Sequence, residues 1–201
     1  RGLSPDRTSN FTTRQDGYDI SADPLGYPES YYTPPLDFVR RIEIVRGGGA
    51  LRYGTQFGGV VNFLLKQPDR FSTVSAEASL TAVMYGFAAG LSGSTGGIGY
   101  RAMYQFKRGD GWRPNAGFDM HTAYGVLTLD VTSRFRLTAD YTFMTYLAQQ
   151  PGGLTDMQFD RDASASYRAR NWFRVNWNLA SLRVDYLMGD ATSFRSLFFT
   201  N

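Results

Sequence analysis

Three consecutive glycines, Gly47, Gly48 and Gly49, flanked by Arg46 and Arg52, are the part of this sequence that looks most like a ligand-binding device. Glycine-loop amides can cradle a phosphate, with arginines adding charge, provided that the loop opens a helix. The chain instead continues as Ala50-Leu51-Arg52-Tyr53-Gly54, then Gly58-Gly59 and a strand-like run, with no Lys-Ser or Lys-Thr and no room for a helix. Gly47, Gly48, Gly49, Gly54, Gly58 and Gly59 are therefore read as turn glycines that permit positive φ and close backbone packing. Other chemistry is thinner still. His121 is the only histidine, whereas a metal site needs several convergent donors. Asp156, Asp160 and Asp162 lack the dense oxygen spacing of a calcium loop and read as solvated charges. No Gly-x-Ser-x-Gly elbow frames any serine, and no base is evident for a hydrolase. The expectation is no enzyme, no cofactor and no bound metal.

The elements that must position these residues point towards β structure. Aromatic residues make up 15% of the 201 residues, with 13 Tyr and 15 Phe, alongside 22 Gly and only 19% charged residues. Rings and β-branched side chains suit a pleated surface. Cysteine is absent, which excludes disulfides, thiolate metal sites and thiol catalysis. The net charge of +3 is too small and scattered to argue for nucleic acid. No apolar run approaches the ~18 residues of a membrane helix. The chain opens on Arg1 rather than Met, and is read as processed or as a piece of something longer.

Residues 1 to about 70 are irregular, with Asp23-Pro24, Tyr27-Pro28 and Pro34-Pro35 forbidding long helices. Two strands stand out there, Ile42–Arg46 and Gly59–Lys66. From about Phe71 the pattern becomes strict alternation. Tyr100, Ala102, Tyr104 and Phe106 oppose Arg101, Met103, Gln105 and Lys107. Phe135 to Phe143 repeats this against Arg136, Thr138, Asp140 and Thr142. Phe173, Val175, Trp177 and Leu179 oppose Arg174, Asn176 and Asn178, and Leu182, Val184, Tyr186 and Met188 form another stripe. Period two is the signature of strands. Short turns at Ser94, at Thr132 and at the Ala180-Ser181 step interleave with long loops over 108–118 and 147–170. About eight strands of this kind describe an outer-membrane barrel wall, apolar outside and polar inside. A soluble β-sandwich also alternates, but the aromatic stripes suit rings placed at a lipid–water boundary.

The stretch "RRIEIVRGGGALRYGTQFGGVVNFLLKQP", Arg40 to Pro68, resembles the plug domain of TonB-dependent outer-membrane transporters. "QDGYDISADPLGYPESYYTPPLDFV" resembles the plug region running from an Asp-Gly turn to an apical loop. "RGDGWRPN", "QQPGGLTDMQFDRD" and "RARNWF" are similar to segments of the ferric-citrate-type subgroup. The resemblance implies a mainly β fold: residues 1–70 the C-terminal part of a plug, and 71–201 the first strands of a transmembrane β-barrel of about 22 strands. A closed eight-stranded barrel has no room for a plug, so a fragment is expected. The implied location is the outer membrane of a Gram-negative cell, in contact with its lipid. Implied partners are the TonB-ExbB-ExbD energy-coupling complex, a ferric chelate (iron citrate or a siderophore) and a possible larger outer-membrane complex.

The resemblance also suggests roles for particular residues. Arg46 and Arg52 are either ordinary surface charges or a latch that pairs with barrel carboxylates and must be released. Tyr27, Glu29, Tyr31 and Tyr32, at the plug apex, either meet an anionic chelate or pack on the wall. Arg101, Arg136 and Arg174 fall on the polar stripes, taken as lumen-facing, where they either attract the chelate or simply hydrate the lumen. Receptors for haem, a vitamin, a peptide or a glycan are alternatives, because loops set the cargo. A soluble β-sandwich binding module is the alternative of another class; a passive porin or a small barrel enzyme fits neither the plug motif nor the missing catalytic groups.

Overall fold

The structure, a computed structural model, describes residues 11–21, 31–46 and 58–201. Two sheets make up the fold. The first holds β1 (Phe11–Gln15), β2 (Tyr18–Asp19), β3 (Val39–Val45) and β4 (Gly59–Leu65) in the order β2-β1-β4-β3. β1 and β4 run parallel, and the outer pairs are antiparallel. The second is an antiparallel wall of seven strands in sequence order: β5 (Thr73–Leu80), β6 (Met84–Thr95), β7 (Ile98–Gly109), β8 (Phe118–Thr132), β9 (Phe135–Gln149), β10 (Trp172–Leu187) and β11 (Ser193–Thr200). β5 and β11 do not pair with each other, so the wall is open.

Sequence reasoning found β3 and β4 but missed β1 and β2, because Thr-Thr-Arg-Gln carries no apolar stripe. Their hairpin turns on Asp16-Gly17, both at positive φ (45° and 95°), the mirror-image turn that Asp-Gly favours. Gly59 (φ 125°) is required on two counts: a Cβ there would lie 2.4 Å from the Val45 carbonyl oxygen, and its φ is one that L side chains rarely adopt. Gly58 sits in the turn just before it. Gly47, Gly48, Gly49 and Gly54 lie outside the described residues.

The wall has seven strands where the sequence suggested about eight. Ala180-Ser181 is not a turn: β10 runs through it without a break, every residue from Trp172 to Tyr186 paired with β9. The apolar stripe changes face there instead. Inward from β10 point Val175, Trp177 and Leu179, level with Tyr146, Met144 and Thr142 of β9, and they pack on the first sheet. Outward point Arg174, Asn176 and Asn178 above the step, then Leu182, Val184 and Tyr186 below it. Outward rings gather in two belts, Phe87 with Tyr104 and Phe106 nearer the long loops, and Phe135 with Tyr186 at the short-turn end. Leu127, Leu129 and Leu182 lie exposed between them. From Phe135 to Phe143 the strand covers about 27 Å, roughly 20 Å of height at the usual ~40° tilt, close to the ~25 Å apolar band of a barrel wall.

The described residues form two apolar clusters, and both are shared between the sheets. Tyr18, Ile20 and Tyr32 pack with Met144, Val175 and Leu179. Phe38 and Leu65 pack with Met103, Tyr124 and Val126.

Candidate functional site: the plug–wall seam and the apex

The first sheet meets the wall through a buried polar network as well as these clusters. Tyr18 donates to Asp140 Oδ2 (3.0 Å), and Ser181 donates to the other oxygen of the same carboxylate. Gln15 Nε2 donates to Tyr18 Oη (2.6 Å) and Thr142 Oγ1 (3.0 Å), while Gln15 Oε1 accepts from Tyr32 Oη at 3.0 Å. Burial pushes both phenols well above their ordinary pKa, so they remain donors throughout the physiological range. Asp37 accepts from Gln105 of β7. The donors are uncharged side chains, and the acceptors include the Asp140 and Asp37 carboxylates, so each bond of this kind contributes about 1–3 kcal/mol. Asp16, at the hairpin tip, accepts from Leu65 N (3.1 Å), and burial raises its pKa to about 6.

A second joint fixes the connection between β4 and β5. Arg101 Nε donates to the Gln67 carbonyl (2.9 Å), and its guanidinium pairs with Asp69 at 2.8 Å. Asp69 also accepts from Thr73 (2.6 Å), its amide donates to Ser92 Oγ (2.8 Å), and its carbonyl accepts from Ser94 (2.8 Å). The Thr73 hydroxyl, with help from Arg101, holds the Asp69 carboxyl below the usual range.

At the long-loop end, Tyr31 stands 36% exposed with its ring 5.7 Å from Phe173 and 6.3 Å from Trp177. The loops above are tied to each other. Arg113 donates to the carbonyls of Gly152 (3.1 Å) and Ala165 (2.6 Å), and Asn115 donates to those of Gln150 (3.2 Å) and Asn171 (3.0 Å). Within the longer loop, α1 (Asp156–Arg161) is closed by a Thr155–Gln158 capping box. Asp156 and Asp160 are exposed on it, and Asp162 at its end accepts from Ser164.

The residues singled out from sequence separate into distinct places. Tyr31 lies at the apex with wall rings beside it. Tyr32 is fully buried and anchors Gln15, so it presents nothing to the outside. Arg101 does face inward, but it is buried and engaged with Gln67 and Asp69 rather than open to the lumen. Arg136 faces inward at the short-turn end, bonded to Asp130 (Nη2 to Oδ2, 2.9 Å). Arg174 faces outward, 6.0 Å over the Trp172 ring, so its expected lumen orientation is corrected: at that height the outer surface is polar and the inner one apolar. Arg46 directly follows β3 and is exposed. Tyr27, Glu29 and Arg52 lie outside the described residues. His121 also faces outward, its Nδ1 2.6 Å from Tyr104 Oη and its Nε2 2.9 Å from Asp119. The sequence did not flag Gln15, Tyr18, Asp140 and Ser181; the one available signal was the polar run beside the Asp-Gly turn.

A partial plug sheet seated on the inner face of a tilted antiparallel wall defines the class: this is the architecture of the TonB-dependent outer-membrane receptors. No family model matches the chain. Among solved structures it is similar to the ferric citrate transporter FecA in its unliganded form, with 26% identity and a TM-score of 0.87 over 99% of this chain and 32% of that one. The ferric-catecholate import receptor Fiu from E. coli K12 matches at 16% identity and TM-score 0.75, over 96% of this chain and 31% of that one. The siderophore receptor PirA from Pseudomonas aeruginosa matches at 19% and 0.71, over 99% and 33%. The chain spans about a third of the length of the solved receptors it matches.

Proposed function

We propose that these residues are part of an outer-membrane receptor that imports a ferric chelate, ferric citrate or a siderophore, by plug rearrangement coupled through TonB-ExbB-ExbD. The observation that carries this reading is the match of nearly the whole chain, plug and wall together, to a ferric citrate transporter. The seam supports it chemically. Tyr18 and Gln15 hold the plug to Asp140 and Thr142 by a few hydrogen bonds from uncharged donors, with Tyr32 bracing Gln15, and the β4–β5 connection is clamped separately by Arg101, so the hairpin can leave while the chain stays attached. At the apex, Tyr31, Phe173 and Trp177 offer a rigid aromatic ledge for a first contact. No covalent step is involved.

The test is uptake of radioactive iron by cells carrying the complete receptor. Saturable uptake from ferric citrate or a ferric siderophore, lost when TonB is deleted, is expected. Uptake of haem or a vitamin in place of any ferric chelate would overturn the cargo class, and uptake indifferent to TonB would overturn the coupling.

A further inference from the structure

Opposite the apex, at the short-turn end, a cavity of about 690 Å³ opens between the plug sheet and the wall. Arg40 enters from β3, Arg70 from the β4–β5 connection, Arg136 from β9 and Arg183 from β10; the facing carboxylates are Asp16 and Asp130. Arg136 is paired with Asp130 and Arg183 with Asp185 at 3.3 Å, while Arg40 and Arg70 are exposed, so the excess guanidinium charge around the opening comes from these last two. The floor stays low because Gly99 carries no side chain: a Cβ there would lie 2.4 Å from Thr128 Oγ1 and 2.9 Å from Pro68. The volume falls within the ~300–1,000 Å³ of ligand sites. Guanidinium forks converging on one space match carboxylates bidentately.

We propose that this cavity is an inner anion station, which receives a carboxylate-bearing iron chelate after it has passed the plug–wall seam and before it leaves at the short-turn end. The assignment rests on the import reading above. Apex and station lie at opposite ends of the seam, with the Tyr18–Asp140 network and the two apolar clusters between them. A chelate freed when that network opens therefore meets positive charge on the far side, and the charge biases its movement forward.

The experiment uses the complete receptor, in which Thr128→Cys places a thiol inside the cavity; residues 1–201 contain no cysteine. Paired anionic and cationic thiol reagents of equal size read the local potential without any cargo. The expected anionic-to-cationic rate ratio, relative to a free thiol, is roughly tenfold. Arg40→Gln with Arg70→Gln, both exposed and tolerant positions, is expected to collapse that ratio and to slow ferric citrate uptake several-fold while surface binding of ferric citrate is unchanged. Arg40→Lys with Arg70→Lys is expected to retain both. A ratio equal to that of a free thiol, or uptake unaffected by the double glutamine variant, overturns the station. Protection of the thiol by inorganic phosphate as effective as by ferric citrate reduces the site to one for any small anion and overturns the cargo assignment. Biased labelling in a receptor that captures no ferric chelate overturns the import reading, and the station's cargo with it. Ferric citrate import with unbiased labelling overturns the station alone.

Discussion

Asp16 occupies a position that suits its backbone and penalises its charge. Its φ of 45° is one that Asp and Asn tolerate, yet burial raises its carboxyl pKa from 3.8 to about 6. A carboxyl with a raised folded-state pKa costs nothing while protonated; the cost sets in as pH climbs from about 4 and is complete above about 6, with a ceiling of about 3 kcal/mol. Asp16→Asn keeps the acceptor for Leu65 N and the turn preference. It is expected to raise the melting temperature at pH 8 and to leave it nearly unchanged at pH 4, as read by thermal unfolding of the complete receptor; equal gains at both pH values would point to the turn alone. Tyr18→Phe removes the donor to Asp140 and should weaken plug docking by about 1–3 kcal/mol. Hydrogen exchange of the β1 amides reports this as faster exchange with wall amides unchanged. Arg101→Gln tests the clamping role of that residue: proteolysis within 66–72 is expected to speed up while chelate affinity stays the same, and lost affinity would favour a chelate-attracting role instead.

Legibility differed from one element to the next. β7 and β9 could be read from sequence because lipid outside and a hydrated or plug-facing inside impose opposite chemistry on alternate residues. β1 and β2 could not, since a short sheet covered by its neighbours needs no stripe of its own and Asp16-Gly17 was the only mark. β10 misled for a physical reason: a strand longer than the apolar band meets different surroundings above and below Ala180, so its stripe slips by one residue and imitates a turn. Arg174 was misplaced by the same slip, and the Tyr18–Asp140 contact, spanning 122 positions, left no local pattern at all. The slip predicts an asymmetry. Leu182→Arg, an outward site within the band, should cost about 2–4 kcal/mol in unfolding from lipid vesicles, while Asn176→Arg, outward and opposite Thr145 beyond Phe143, should cost about 0–1 kcal/mol. Equal costs would mean that β10 crosses the bilayer at another height.

On the scale of the whole molecule, the plug sheet has little to hold it together once it is off the wall. Among the described residues, Tyr18, Ile20, Tyr32, Phe38 and Leu65 are buried in clusters completed by wall residues, and only Val60 and Phe63 add buried apolar side chains of the first sheet outside those clusters. Residues 1–70 expressed alone are therefore expected to give the circular dichroism of an unfolded chain, and a cooperative β signal with a thermal transition would contradict that. Because both apolar clusters are jointly owned, the first sheet is expected to settle only once enough of the wall stands to fold against. If the receptor releases its plug during import, as proposed above, the same dependence holds in reverse, and a displaced plug is less a cork on a hinge than a nascent chain returned to the moment before it folded, with the wall as its template.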